Sequence, residues 1–298
     1  MNRRQAWYLV GVDGGGSGTR LRVASADGTV LACASAGPSA LMLGSDVAWR
    51  AIGDAAAQAF AQLGEPVDWT HCVLGCGLAG VNQPQWRAAF SEAAPPLLRL
   101  AVESDAYTTL LGAHRGAPGV VVALGTGSIG AVLDARRQFR VAGGYGFPSG
   151  DEASGAWLGL RAIVHAQRAL DGRTVLDDFA RALLARADVR ARDALVSWCT
   201  RATQSRYAAL APTVLAHADH PFAARLLAEA GRNIDAMVAA LDAGENLPVA
   251  LCGGLALPMA KYVRAEVRAR LVPPAGDSAD GALQLASMAA AQSSSVPR

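Results

Sequence analysis

Short apolar runs and alternating polar and apolar positions open the chain. Tyr8 to Val12 is apolar apart from one glycine, and further on Leu21 and Val23 are separated by an arginine. An Asp-Gly turn then precedes a third apolar run from Thr29 to Ala34. Because period-two alternation and a turn of this kind are typical of hairpins, the opening predicts three antiparallel strands.

Amphipathic segments and compact apolar runs alternate after these strands. Apolar residues recur at helical spacing in three segments, and shorter apolar runs lie between them. The predicted order is helix, strand, helix, strand, helix, over residues 46–63, 72–78, 83–93, 98–102 and 106–115.

The pattern starts again at Gly119. Strands are predicted over 120–124, 129–133, 139–142 and 249–252. Helices are predicted over 153–170, over 258–271 and from Asp280, and the stretch after 170 is mostly helical up to about 243. The repeated order indicates an α/β protein with two related halves and a ligand cleft between them. We predict one domain over residues 1–115 joined by the C-terminal helix 280–298, and a second over 116–279 with a helical insertion at about 153–243.

Composition excludes several classes of function. Of the 298 residues, 52% are hydrophobic, and 27 basic against 25 acidic side chains leave a charge of +2 without a block of like charge. A nucleic-acid tail or a polybasic membrane patch is therefore not expected. Lys261 is the one lysine and lies outside any glycine loop, which excludes the P-loop and the protein-kinase schemes of ATP binding.

The cysteines and histidines predict neither disulfides nor a metal centre. Five scattered cysteines among apolar residues fit reduced thiols that act as small core side chains, so a cytoplasmic location is expected. Cys72 and Cys76 lack a second ligand pair, and the five histidines show no metalloprotease spacing. The uncharged span 116–133 is interrupted by glycines and predicts two strands rather than a membrane helix.

Each half carries a glycine cluster in the turn between its first two strands. Such turns can present successive backbone N–H groups to phosphate oxygens, although glycines can equally serve a tight turn alone. Their occurrence at equivalent points of both halves favours a phosphate clamp. The residues are Gly14, Gly15, Gly16, Ser17, Gly18 and Thr19 in the first half and Gly125, Thr126, Gly127 and Ser128 in the second.

Four carboxylates and one glycine pair stand at the ends of predicted strands or the starts of helices. Asp13 closes the first strand and is interpreted as a Mg²⁺ ligand through water, with a turn cap as the alternative. Asp105 suits a general base or a helix N-cap, and Asp151, with Glu152 beside it, also suits an N-cap. Gly253-Gly254 follows a strand and could let an adenine ring lie on the backbone.

These segments together resemble a known superfamily, that of acetate and sugar kinases, heat-shock chaperones and actin. Within it the chain is most similar to the branch of N-acetylglucosamine kinases, bacterial glucosamine kinases and activator ATPases of acyl-CoA enzymes. The matching segments are VGVDGGGSGTR, LGCGLAG, ESDAYTTLLGA, VVALGTGSIG, GGYGFPSGDEASGAWLGLRAI, LCGGLA and ADGALQLA. The resemblance spans nearly the whole chain and implies two ribonuclease H-like, actin-like ATPase domains.

The resemblance also implies roles for the residues singled out above. The two glycine clusters would hold the ATP phosphates, Asp13 the Mg²⁺ shell, and Gly253 and Gly254 the adenosine. Asp105 would accept the proton of the 6-hydroxyl of N-acetylglucosamine or glucosamine during phosphoryl transfer. The sugar contacts implied are Ser39, Asp105, Gly143, Gly144 and Asp151, with Glu152 as the alternative to Asp151.

The choice of amino sugar and the alternatives to a kinase stay open at this point. Ala40 stands where the family usually has asparagine, which removes a hydrogen-bonding group near the sugar. An ATPase activator would need cysteines for an iron–sulfur cluster, and a sugar-sensing repressor would need a helix-turn-helix before the first strand. A homodimer is a family expectation.

Overall fold

The computed structural model describes residues 7–292, which form two compact units. The first unit comprises the residues up to Ala117 together with those from Pro274, and the second is Pro118–Pro273. Residues 1–6 and 293–298, the two ends of the predicted first domain, lie outside the described residues. The assignment of these units as separate ATPase domains stays a prediction.

The first unit is built on a five-stranded sheet in the order β3-β2-β1-β4-β5. β1, β2 and β3 are antiparallel, whereas β1, β4 and β5 are parallel. The strands are β1 Tyr8–Gly14, β2 Thr19–Ser25, β3 Val30–Ala36, β4 Cys72–Leu78 and β5 Arg99–Glu103. Since parallel strands end at the same sheet edge, Asp13, Gly77 and Glu103 are aligned there by register.

Four helices cover the first sheet. They are α1 Ser45–Gln62, α2 Pro84–Glu92, α3 Asp105–His114 and α12 Ser278–Ala291. α12 packs directly on the sheet because Gly11 and Gly75 leave room for it: a Cβ at these positions would lie 2.5 Å and 2.2 Å from its backbone. The three predicted strands and the following alternation of helices and strands are confirmed in this unit.

The second unit repeats the opening with one strand fewer. Its sheet has the order β8-β7-β6-β9, formed by β6 Gly119–Leu124, β7 Ser128–Leu133, β8 Phe139–Gly143 and β9 Val249–Cys252. At the outer side of β9, a single parallel bridge joins Val249 to Leu271. Pro273 and Pro274 follow after Val272, and proline has no N–H to continue a ladder.

Eight helices accompany this second sheet within the described residues. They are α4 Gly155–Leu170, α5 Asp178–Ala187, α6 Arg192–Arg201, α7 Gln204–Ala208, α8 Ala211–Ala216, α9 Pro221–Leu241, α10 Ala256–Met259 and α11 Ala265–Ala269. The prediction of one helix over 258–271 is wrong, since α10 and α11 are separate. Two carboxylate oxygens of Asp235 on α9 each lie 3.1 Å from the Arg264 backbone nitrogen, which diverts this donor from a continuous helix.

The cysteines are free thiols, but they are not uniformly buried. Cys72 and Cys76 are buried on β4, whereas Cys33 on the outer strand β3 is exposed, so its prediction as a core side chain is wrong. Burial raises the pKa of Cys72 to about 12 and that of Cys76 further. Among the described residues, no helix is both long and apolar enough to cross a membrane.

Candidate active site

The first glycine turn joins β1 to β2 and is closed by its own backbone. The Gly15 N–H donates to the Gly18 carbonyl at 3.0 Å. Gly16 and Ser17 at the tip are exposed, and a Cβ at Gly15 or Gly16 would meet nothing within 4 Å. The tip therefore presents open backbone, as an anion-binding turn requires.

Two buried hydroxyl groups lie beneath this turn. The Thr19 hydroxyl donates to the Gly37 carbonyl at 2.6 Å and lies 2.7 Å from the Ser39 hydroxyl. The Ser39 N–H in turn donates to the Gly15 carbonyl. A Cβ at Gly14 would stand 2.1 Å from the Ser39 oxygen. Thr19 and Ser39 thus support the turn from below, while their predicted contacts with phosphate and sugar stay predictions.

Asp13 is held by an arginine that also reaches the last helix. The Arg20 Nε donates to Asp13 Oδ2 at 2.9 Å, and Arg20 Nη1 lies 3.1 Å from Asp277 Oδ2. Only one Asp13 oxygen is engaged in this pair. A single carboxylate beside an open glycine turn fits Mg²⁺, which keeps several of its waters and needs few protein ligands.

Asp105 stands at the first position of α3, just beyond the end of β5. Ser104 is the N-cap of this helix and accepts the Tyr107 N–H at 3.2 Å. Asp105 is therefore not the N-cap, which was the alternative to its role as a general base. Its carboxylate accepts a hydrogen bond from the neighbouring Ala106 N–H at 2.9 Å. Burial raises the pKa of the Asp105 carboxyl, the Ala106 hydrogen bond opposes this, and the nearby Asp13 charge adds to it.

The second glycine turn joins β6 to β7 and rests on the start of α4. The Gly155 N–H donates to the Gly125 carbonyl at 2.9 Å, and the Ala156 N–H donates to the Thr126 carbonyl at 3.2 Å. The Ser128 hydroxyl donates to the Glu152 carbonyl at 2.6 Å. The first amides of α4 therefore hold the turn in place, and the Gly125 N–H is used within the turn, where it donates to the Gly127 carbonyl at 2.9 Å.

Asp151 lies against this second turn and is only 5% exposed. Its carboxylate accepts hydrogen bonds from the backbone of Ser128 and Gly146 and from Gln204 Nε2 at 2.7 Å. The N-cap of α4 is Ser154, not Asp151 or Glu152, so the N-cap interpretation of this pair is wrong. Burial raises the pKa of Asp151, although the Ser128 hydrogen bond opposes it and the Glu152 charge adds to it.

The loop from Gly143 to Glu152 carries the other predicted sugar contacts. Gly143 and Gly144 have φ values of +72° and +71°, a left-handed conformation that favours glycine. Between Gly144 and Gly146, the Tyr145 side chain is 87% exposed. An exposed aromatic ring can pack on the apolar face of a sugar.

The glycine pair after β9 is adjacent to the second turn. Gly253 has a φ of +90°, and a Cβ there would lie 2.5 Å from the Leu124 carbonyl oxygen at the end of β6. The Leu255 N–H donates to the same carbonyl at 3.1 Å. A Cβ at Gly254 would meet nothing within 4 Å. The backbone here is open on one side, as a site for a flat ring requires.

A second cluster of possible ligands lies among the helices of the second unit. His165, Asp177 and His220 bring their ligand atoms within 4.8 Å of one another. However, His220 Nδ1 accepts the Phe222 N–H at 3.2 Å, so its proton is on Nε2, which lies 3.0 Å from Asp177. A metal would need that nitrogen free of its proton. The cluster is therefore a hydrogen-bonded junction of α4, α5 and α9.

Three residues of these surroundings were absent from the sequence-based site. Arg20 and Gln204 act on the predicted carboxylates Asp13 and Asp151, from seven and 53 positions away in sequence. The arginine next to the first turn was visible in the sequence, whereas no local pattern marks Gln204. Tyr145 lay within a quoted segment, and its position between two glycines was an available signal.

One family of sequences and two known proteins are similar to this chain. The sequence model of the BadF/BadG/BcrA/BcrD ATPase family matches residues 10–285. The glucosamine kinase GspK of Vibrio cholerae is 34% identical over 94% of this chain and 95% of its own length. The N-acetylmuramic acid/N-acetylglucosamine kinase of Clostridium acetobutylicum is 29% identical over 56% of this chain and 55% of its own.

Solved structures give the same result for the fold. A provisionally assigned N-acetylglucosamine kinase of Chromobacterium violaceum superimposes with a TM-score of 0.91 at 48% identity, covering 95% of this chain and 99% of that one. A ROK-family glucokinase of Streptomyces griseus reaches a TM-score of 0.59 at 20% identity, covering 95% and 99% of the two chains. At that identity the likeness concerns the fold alone, an α/β fold of two actin-like halves.

Proposed function

This chain belongs to the BadF/BadG/BcrA/BcrD ATPase family, and from that premise we propose that it is an ATP-dependent amino-sugar kinase. It would transfer the γ-phosphoryl group of ATP to the 6-hydroxyl of glucosamine or N-acetylglucosamine. The names of the two curated relatives, both amino-sugar kinases, support this class of substrate.

The observation that carries the proposal is the state of Asp105. Its carboxyl group is released from helix capping by Ser104 and has a raised pKa. It also stands at the sheet edge where the parallel strands β1, β4 and β5 end side by side. β1 leads into the first glycine turn at this edge. A carboxylate with a raised pKa is a stronger base than an ordinary one, which suits proton removal from a sugar alcohol.

The remaining roles follow from the two turns. Gly14 to Thr19 and Gly125 to Ser128 would bind phosphate oxygens through backbone N–H groups, which stabilise charge on the transferring group. Gly253 and Gly254 would bind the adenosine. Asp13 would hold Mg²⁺ through water, and this ion would neutralise charge on the phosphates. Gly143, Gly144 and Asp151 would orient the sugar hydroxyls, with Ser39 supporting the first turn.

Two further properties belong to the proposal. Use of ATP and free thiols on Cys33, Cys72, Cys76, Cys199 and Cys252 fit a cytoplasmic location. We also expect a homodimer, as the family resemblance implies, and light scattering during size-exclusion chromatography measures this directly. An iron–sulfur role for Cys72 and Cys76 is disfavoured because burial opposes their thiolate forms.

A coupled ADP-release assay tests the proposed function. The purified protein is given ATP and Mg²⁺ with glucosamine, N-acetylglucosamine, N-acetylmuramic acid or glucose. We expect turnover with at least one of the first two sugars and much less with glucose. Turnover with none of the four sugars, in a folded protein, would contradict the proposal.

A further inference from the structure

Gln204 is the feature that extends this picture. It is the first residue of α7, and its Nε2 donates to Asp151 Oδ2 at 2.7 Å. A Cβ at Gly127, in the second glycine turn, would lie 2.8 Å from that carboxylate oxygen and 3.2 Å from Gln204 Nε2. One carboxylate is therefore in contact with the helix, the glycine turn and the loop that ends at Glu152.

The short helix α7 is itself fixed in place. A Cβ at Gly159 of α4 would lie 1.9 Å from the Tyr207 carbonyl oxygen, so the two backbones are in direct contact. The buried Tyr207 ring also packs on Phe147 of the 143–152 loop, with ring centroids 5.4 Å apart. α7 thus contacts this loop through one apolar and one polar side chain, and the polar one reaches Asp151.

The chemistry of Asp151 explains why it needs hydrogen-bond donors. A buried carboxylate that lacks hydrogen-bond donors takes up a proton and then accepts fewer hydrogen bonds. The Ser128 and Gly146 N–H groups and the Gln204 amide favour the charged form. A charged Asp151 keeps acceptor capacity for further donors such as sugar hydroxyls.

We propose that Gln204 is a positioning residue of the sugar site, which holds Asp151 charged and oriented between the 143–152 loop and the second glycine turn. This inference rests on the proposed function. Gln204 acts through Asp151. The loss of its amide should weaken sugar binding more than it slows the chemical step, because the reacting groups are elsewhere.

Two substitutions separate this role from a merely structural one. In Gln204→Ala the donor is absent at every pH, so we expect KM for the amino sugar to rise about 10-fold or more, as for loss of a hydrogen bond to a charged group. We expect kcat to change much less. In Gln204→Glu a second carboxylate faces Asp151, with Glu152 as a further nearby negative charge.

The pH dependence of the Gln204→Glu variant is the sharpest measurement. At neutral pH its sugar KM should be at least as high as that of Gln204→Ala. As the pH falls, the paired carboxylates share a proton, and the introduced carboxyl group can again donate to Asp151. The KM ratio of this variant to wild type should therefore fall towards one in acid. The ratio for Gln204→Ala should instead rise as the pH falls, because Asp151 without its amide donor takes up a proton more readily than in wild type.

Controls make each outcome decisive. Ser205→Ala changes an exposed neighbour on the same helix and should match wild type. An unchanged KM in Gln204→Ala, or one common pH profile for both variants, would overturn the inference while leaving an active wild-type kinase. A wild type that turns over none of the amino sugars would overturn the proposed function and this inference with it. If Gln204→Ala does not fold, the acid recovery of Gln204→Glu decides alone.

Discussion

The two glycine turns occupy equivalent places, between the first two strands of each sheet, but they have different supports. Beneath the first turn lie the neutral hydroxyl groups of Thr19 and Ser39, and the charge of neighbouring Asp13 is paired with Arg20. Beneath the second turn lies the buried carboxylate of Asp151, together with the first amides of α4. A glycine turn can thus pack on neutral hydroxyl groups or on a charged carboxylate.

The difference follows from what precedes and follows each hairpin. In the first unit the segment after β3 returns beneath the turn at Ser39, where only a small side chain fits under Gly14. In the second unit the segment after β8 leads into α4, and this loop places Asp151 beside Gly127. We therefore expect the support beneath the second turn, but not the Thr19 and Ser39 hydroxyl groups beneath the first, to respond to pH and to substitutions that alter charge.

The largest expected effect concerns the reacting carboxylate of the first unit. Asp105→Asn should lower kcat by about 10²- to 10⁴-fold while ATP and sugar still bind, since only the base is lost. Because burial raises the Asp105 pKa, wild-type kcat should fall with decreasing pH at values above the ordinary aspartate range. Steady-state kinetics across pH measures both effects.

The stability of the same variant provides its control. A raised pKa means that the charged form is disfavoured in the folded state, so Asp105 reduces stability at neutral pH and this loss disappears as pH falls. Asn removes the charge, so the melting temperature of Asp105→Asn should be equal to or above that of wild type. Near-normal kcat in this variant would assign the base to another group.

A matched pair of glycine substitutions compares the two turns directly. Neither Gly16 nor Gly127 has a positive φ, so only the space for a Cβ differs. In Gly127→Ala the new atom meets the Asp151 carboxylate, and we expect about 1–3 kcal/mol of lost unfolding free energy. Gly16→Ala meets open space and should stay within about 0.5 kcal/mol of wild type. Equal denaturation midpoints for the two variants would contradict the difference in support.

The hydroxyl groups beneath the first turn should contribute the same free energy of unfolding at every pH. Ser39→Ala removes one buried hydroxyl contact, while Thr19 keeps the Gly37 carbonyl as acceptor. We expect a loss of about 1 kcal/mol in unfolding free energy, equal in acid and at neutral pH. Urea titrations at several pH values measure this, with the exposed Ser17→Ala as control. A loss that varies with pH would contradict this and show that a titrating group interacts with the hydroxyl groups beneath the first turn.

Local patterns were sufficient to predict most of the fold. The strand Cys72–Leu78 has the predicted bounds, because it is a short apolar run that begins after the polar His71 and ends just before the turn at Gly80. The helix predicted over 258–271 was wrong because its interruption depends on Asp235, about 30 residues away on α9. A local pattern carries no information about such a partner.

The candidate site divides in the same way. Glycine turns and strand-end carboxylates are local signals, so Asp13, Asp105 and the two clusters were visible in the sequence. Whether Asp105 or Asp151 caps a helix could not be predicted, because a serine close by in the sequence competes for the same role. In the structure the caps are Ser104 for α3 and Ser154 for α4. The contact of Gln204 with Asp151 depends on the packing of α7 against α4, which only the structure shows.

The smallest expected effect tests a charged support of the first unit, Asp277 at the N-cap of α12. Burial raises its pKa, but hydrogen bonds and charge from Arg22 and Arg20 lower it overall to about 2. A lowered pKa means that the charged side chain stabilises the fold above the unfolded pKa of about 3.9. That stabilisation is lost as pH falls through the folded value.

Asp277→Asn keeps an N-cap acceptor and removes the charge, so it isolates the ion pairs. We expect a loss of about 0.5 kcal/mol in unfolding free energy at neutral pH, allowing for solvent screening of this half-exposed group. The loss should shrink as pH falls below about 4, whereas the fully exposed Asp193→Asn should show almost none. Denaturation across this range measures it. A constant difference at all pH values would mean that Asp277 acts as a cap alone and that Arg20 holds Asp13 without its help.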